Sequence, residues 1–187
     1  GNLHASFRLN KAGGSVVLTS PATNTVDSIL AYPEQDTDLA YGRDLEGNWK
    51  AAIPLPVVNT RAFNEGAGTL SPDGRFLTFT KGALEDGSYG GTLSGEGSCD
   101  LFISRRIGDR WGVPQNLGTP VNSGHWETQP SLASDGRTLY YIRGAVARDG
   151  IKSMDIWTTI MADDGTWSKP VKLGENVNTA YQEESVQ

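Results

Sequence analysis

The chain has 187 residues, a formal net charge of −6 at neutral pH and a sequence pI of about 4.9. That length suffices for one or two domains with a real core. An acidic chain without a clustered basic surface argues against a nucleic-acid or anionic-membrane partner, and no stretch approaches the roughly 20 apolar residues of a membrane-spanning helix. The single Cys99 excludes an internal disulfide.

Helical periodicity is nearly absent. Twenty-three glycines and nine prolines punctuate the chain, and between them lie short runs of β-branched and aromatic residues, such as residues 15–19, 75–79 and 138–142. The expected class is all-β. Residues 1–57 read as strand-rich: LHASFRL, SVVLTS, a turn at 21–24, TVDSIL, DLAYGR and a run entered at Trp49. Gly1 is not a natural start, so the chain is expected to be a fragment of something longer.

Four marks then recur in order. An Asp-hydrophobic pair opens an extended run at Asp38-Leu39, Asp100-Leu101 and Asp155-Ile156. A tryptophan follows each, at Trp49, Trp111 and Trp167, spaced by 62 and 56 residues. Next comes Asn59-Thr60, Asn122-Ser123 or Asn178-Thr179, with an aromatic and a glutamate behind it: Phe63 and Glu65, Trp126 and Glu127, Tyr181 and Glu183. The fourth mark is a glycine turn between alternating runs, at Gly74 and Gly136. A fixed period filled with short strands is the pattern of stacked units that cannot bury their apolar faces alone.

Two resemblances follow from these residues. Residues 3–49, through Leu3, Phe7, Leu9, Gly14, Val26-Asp27, Tyr32-Pro33, Gln35, Asp38, Tyr41-Gly42-Arg43 and Trp49, resemble the C-terminal half of bacterial lamin-tail domains, which implies an immunoglobulin-like β-sandwich. That half lacks the family's first strands, and residues 1–57 also align with the later repeats, so a partial lamin-tail domain and a degenerate first repeat both remain open. From Val58 onward, Leu70-Ser-Pro-Asp-Gly-Arg75, Leu132-Ala-Ser-Asp-Gly-Arg137, the Asp-Leu-Phe and Asp-Ile-Trp strands, and the pair WGVPQNLGTPVNS and WSKPVKLGENVNT resemble the WD-repeat-like propeller repeats of the TolB type. This resemblance implies four-stranded antiparallel blades, at residues 58–118 and 119–174, with the start of another at 175–187. Two full blades make an incomplete propeller.

Each mark has a physical job. Gly74 and Gly136 can take the positive φ that closes a hairpin between strands one and two. Asp100 and Asp155 open strand three. Pro114 and Pro170 remove a ladder donor, which confines them to the outermost fourth strand, and the tryptophan three residues before each covers a flank. Glu65, Glu127 and Glu183 recur in every unit, so a structural role is expected, such as holding the loop between units. The paired asparagines suit turns and caps.

No catalytic constellation emerges. His4 and His125 are the only imidazoles, too few with one cysteine for a zinc site, and Cys99 reads as a passive buried thiol. Asp163-Asp164-Gly165-Thr166 reads as a hairpin turn. No cofactor is expected. Binding is expected where the repeats differ, in two segments between strands two and three: residues 81–99, with Glu85, Asp86, Tyr89 and Glu96, and residues 144–154, with Arg148, Asp149 and Lys152. Their opposite charge would let them meet, with Tyr89 as the aromatic contact. Both resemblances imply a non-enzymatic binding or scaffold module of a secreted, periplasmic or cell-surface bacterial protein, with a protein or carbohydrate ligand. The alternative is the accessory propeller of a peptidase or glycosidase whose active site lies elsewhere.

Overall fold

The computed structural model describes residues 14–19, 25–32, 41–43, 46, 48–148 and 150–184. The chain divides into two compact units, Gly1–Pro54 and Leu55–Gln187. All regular structure among the described residues is β, and none is helical.

The first unit holds two antiparallel pairs: β1 (Gly14–Thr19) with β2 (Thr25–Tyr32), and β3 (Tyr41–Arg43) with β4 (Trp49–Ala51). The run expected at residues 3–9, the turn at 21–24, Asp38 and His4 lie outside the described residues.

The second unit begins with β5 (Glu65–Leu70), β6 (Phe76–Gly82) and β7 (Cys99–Ile107), followed by the short β8 (Arg110–Trp111) and β9 (Gln115–Asn116). It repeats with β10 (Trp126–Leu132), β11 (Thr138–Ala147), β12 (Gly150–Ile160) and β13 (Val171–Lys172). Strands β5-β6-β7-β9 pair antiparallel in that order, and so do β10-β11-β12-β13. The sequence leads one to expect two separate four-stranded sheets. Instead the two groups join in one mixed nine-stranded sheet, because β10 enters beside β7 as a parallel neighbour at the single pair Trp126 and Cys99.

The glycine turns form as expected. Gly74 and Gly136 have φ of 66° and 67°, conformations that are costly for residues with a Cβ. Ser71 Oγ accepts from the amides of Arg75 and Phe76, both at 3.0 Å. Asp135 does this job in the second turn, accepting from the Arg137 and Thr138 amides, both at 2.8 Å, and from the Thr138 hydroxyl at 2.6 Å. Residues 162–166 also form a turn: Asp164 accepts from the amide and hydroxyl of Thr166, and Met161 bridges Trp167. Pro114 and Pro170 are buried just before β9 and β13, the short fourth strands.

Two apolar clusters flank the first group of strands. Val58, Leu77, Phe79, Tyr89 and Phe102 form one, with Trp111 packed against it. Leu101, Val121, Leu139 and Tyr141 form the other, with Trp157 and Trp167 against it. Successive side chains on a strand point to opposite faces, so Leu101 and Phe102 of β7 serve different clusters. Leu101 thereby seals the first group of strands onto the second.

Two expected loops differ from their sequence reading. Residues 144–154 are a continuation of the β11–β12 hairpin, paired from Gly144 with Met154 to Ala147 with Gly150. Asp155 therefore sits inside β12 rather than opening it. The physical reason is visible in Ala145, Val146 and Ala147 facing Ser153, Ile151 and Gly150, small or β-branched residues that extend a ladder across a short turn. In the 81–99 segment, Lys81 and Gly82 belong to β6 and Cys99 to β7, and the intervening loop, exposed at most of its residues, folds closely against the chain at Gly95 and Gly97. A Cβ on Gly95 would meet the Tyr89 ring at 2.0 Å, and one on Gly97 would meet the His125 carbonyl oxygen at 2.2 Å.

Candidate functional site

The recurring marks assemble into one device. At each repeat a Thr or Ser directly after the paired Asn gives both its amide and its hydroxyl to the glutamate that follows. The distances are 3.0 and 2.7 Å for Thr60 to Glu65, 3.2 and 2.5 Å for Ser123 to Glu127, and 2.8 and 2.5 Å for Thr179 to Glu183. A cation from strand two closes the first two clasps: Lys81 Nζ lies 2.5 Å from Glu65 and Arg143 Nε 2.8 Å from Glu127, both 16 residues on. Arg143 also donates to the Val121 carbonyl at 2.8 Å and stacks over Trp157 at 4.6 Å. Lys81 sits 4.0 Å over the Phe63 ring. The expected structural role of Glu65, Glu127 and Glu183 is thus met by specific partners.

The asparagines bind strand three. Asn122 accepts from the Leu101 amide and donates to the Leu101 carbonyl, each at 2.9 Å. Asn178 does the same for Ile156 at 2.7 and 3.0 Å. A side-chain amide therefore stands where a neighbouring strand would pair. Asp100, fully buried, completes the first copy by accepting from the Glu96 and Gly97 amides and from Asn116 Nδ2.

Burial governs the titrating groups nearby. Desolvation raises the Glu127 carboxyl, although hydrogen bonds from Ser123 and the charge of Arg143 oppose it. The Cys99 thiol is pushed up to about 12 by burial, against a hydrogen bond from Trp126. Such a thiol is a poor nucleophile, in keeping with the passive role expected for it. Among the described residues no group of His, Cys, Asp and Glu is placed to hold a metal ion.

The expected binding residues are scattered. Glu85, Asp86 and Glu96 are exposed on the loop, with Asp86 held by Ser88. Tyr89 is not presented at all: it is 1% exposed, 5.3 Å from the Phe102 ring, with its hydroxyl donating to the Gly97 carbonyl at 3.0 Å. Apolar packing of a large ring outweighed the polar, glycine-rich look of the loop around it. Arg148 is exposed at the hairpin tip, Lys152 is exposed on β12, and Asp149 lies outside the described residues. No hydrogen bond or ion pair among the described residues joins Glu85, Asp86 or Glu96 to Arg148.

A better candidate is a cleft of about 430 Å³ at the entry ends of β5 and β10. Asn64, Glu65, Thr80, Cys99, Trp126 and Thr128 line it, among others. The Thr80 and Thr128 hydroxyls meet at 3.3 Å, and Thr80 Oγ1 accepts from the Gln129 amide at 3.1 Å. Both strands bulge at its edge, where Ala67 and Gln129 have positive φ of 44° and 51°, each strained by about 1–3 kcal/mol. The result is a polar-walled cleft with one half-buried indole. No single stretch of sequence marks the cleft, because its walls come from β5, β6, β7 and β10 together, and only Glu65 and Trp126 of its lining stand among the repeat marks.

The chain matches no protein-family model, no curated protein and no solved structure.

Proposed function

We propose that the chain is a non-enzymatic binding module of the β-propeller kind, in which the two four-stranded groups are neighbouring blades and the cleft between β5 and β10 receives a protein or carbohydrate ligand. One observation carries the reading. The residue before the repeated glutamate changes from unit to unit, as Asn64, Trp126 and Gln182, and two of the three line the same cleft. The aromatic mark stands two residues before the glutamate at Phe63 and Tyr181 but directly before it at Trp126, and that one-residue shift supports a ligand role for the indole beyond the shared scaffold. An indole beside hydroxyl and amide groups suits a ring that is apolar on one face and polar at its edge. The resemblance to TolB-type repeats supports the blade reading and a secreted, periplasmic or cell-surface setting.

The test is to titrate the full chain with a panel of neutral oligosaccharides, soluble peptidoglycan fragments and short peptides while recording backbone and indole NMR signals. Binding at the cleft moves the signals of Asn64, Thr80 and Trp126, and Trp126→Ala weakens it by about tenfold or more. Shifts confined to residues 83–98 would place the ligand elsewhere. Release of a hydrolysis product from any panel member would oppose the non-enzymatic reading.

A further inference from the structure

The third clasp is built but unfinished. Glu183 accepts both the Thr179 amide and hydroxyl on Oε1, whereas Glu65 and Glu127 take the amide on Oε2 and the hydroxyl on Oε1, and the Glu183 amide seats on the Met154 carbonyl at 3.0 Å. Its Oε2 is buried with no hydrogen-bond partner. In the first two units the glutamate receives Lys81 or Arg143. The valine before each paired Asn tells the same story: Val58 and Val121 are 4% and 0% exposed, whereas Val177 is 45% exposed. Val58 is covered by Leu77 and Phe79, and Val121 by Leu139 and Tyr141. These covering residues precede the clasp cation by four and two positions in both units.

We propose that the face formed by Val177 and Glu183 is a docking surface for a β-hairpin of this same repeat pattern, carried on a further unit, whose second strand reads leucine, any residue, aromatic, any residue, Lys or Arg. The two apolar side chains cover Val177 and the cation reaches Glu183 Oε2. An uncompensated buried carboxylate oxygen is costly and selects a cation over a neutral group. A second copy of this chain does not supply the hairpin, because Leu77, Phe79 and Lys81, like Leu139, Tyr141 and Arg143, are already sealed in their own unit. The inference rests on the equivalence of the repeats and is independent of any ligand in the cleft.

The experiment extends the full chain after Gln187 with a copy of residues 132–161, which places the copied arginine at the native spacing from Glu183. A second extension uses residues 70–107, so that poor folding of one segment does not decide the outcome. Amide exchange at Val177 and Asn178 is expected to slow by about tenfold or more in at least one extended chain, a shift of about 1.4 kcal/mol. Most of the protection is lost when the added cation is replaced by Gln or when Glu183→Gln is made. Unchanged exchange in both extended chains would overturn the proposal, as would protection indifferent to both Gln changes. Dimerisation of the unextended chain that buries Val177 would overturn it as well.

Discussion

Asn122 holds Leu101 by both of its peptide groups, accepting from its amide and donating to its carbonyl at 2.9 Å each. Both residues are buried, so the pair works where an unmade hydrogen bond costs about 1–3 kcal/mol per group. Asn122→Ala is expected to destabilise the second unit by about 3 kcal/mol. Asn178→Ala, at the more open end of the repeat, should cost less. Urea unfolding of the two variants checks the order, and equal losses would show that Asn122 gains nothing from its sealed position.

The clasp gives a second prediction. Lys81 and Glu65 are an ion pair with side chains 3% and 4% exposed, and removing one partner from such a pair costs about 3–5 kcal/mol. Lys81→Met should therefore destabilise by roughly that much, and adding Glu65→Gln should restore part of it. A double-mutant cycle by chemical denaturation measures the coupling; additive losses would mean the two charges act separately.

Tyr89 separates the core reading of its loop from the ligand-contact reading. As a core ring against Phe102, it should tolerate Tyr89→Phe with a small loss, whereas Tyr89→Ala costs about 3–5 kcal/mol. Thermal unfolding reads this directly. A Tyr89→Ala chain as stable as the parent would return the ring to the surface.

The glycine turn at Gly136 makes a pH prediction. Asp135 is lowered from 3.8 to about 2 by the Thr138 hydroxyl, then by the Thr138 and Arg137 amides. A depressed carboxylate stabilises the fold above its unfolded value, and the contribution is lost as pH falls from about 4 to about 2. Asp135→Asn should flatten that part of the stability profile. Melting curves of both chains across this window test it; parallel profiles would contradict it.

Cys99 offers a chemical readout. A buried thiol pushed up to about 12 should resist alkylation in the folded chain near neutral pH and react on unfolding. Mass spectrometry after iodoacetamide treatment, with and without urea, checks this. Rapid native labelling would mean an open thiol.

Much of the scaffold was legible because repetition is a local signal. The Gly74 and Gly136 turns, the edge positions after Pro114 and Pro170, and the structural role of the three glutamates each follow from a short motif read several times. What escaped was long-range. Residues 144–154 looked like a loop because Arg148, Asp149 and Lys152 are polar, yet the small and β-branched residues around them extend a ladder. Tyr89 looked exposed because its neighbours are glycines, but those glycines, Gly95 above all, are what let its ring into the core. The cleft at Trp126 draws on four strands, and no single stretch of sequence announces it.

The central claim is that one clasp is built three times and completed twice. Hydrogen exchange at the Thr60, Ser123 and Thr179 amides, each given to a clasp glutamate, tests it in one experiment on the unaltered chain. Strong protection at Thr60 and Ser123 is expected, with exchange at Thr179 faster by about tenfold or more because Glu183 lacks the cation that fixes its counterparts. Equal protection at all three amides, or none at any, would contradict it.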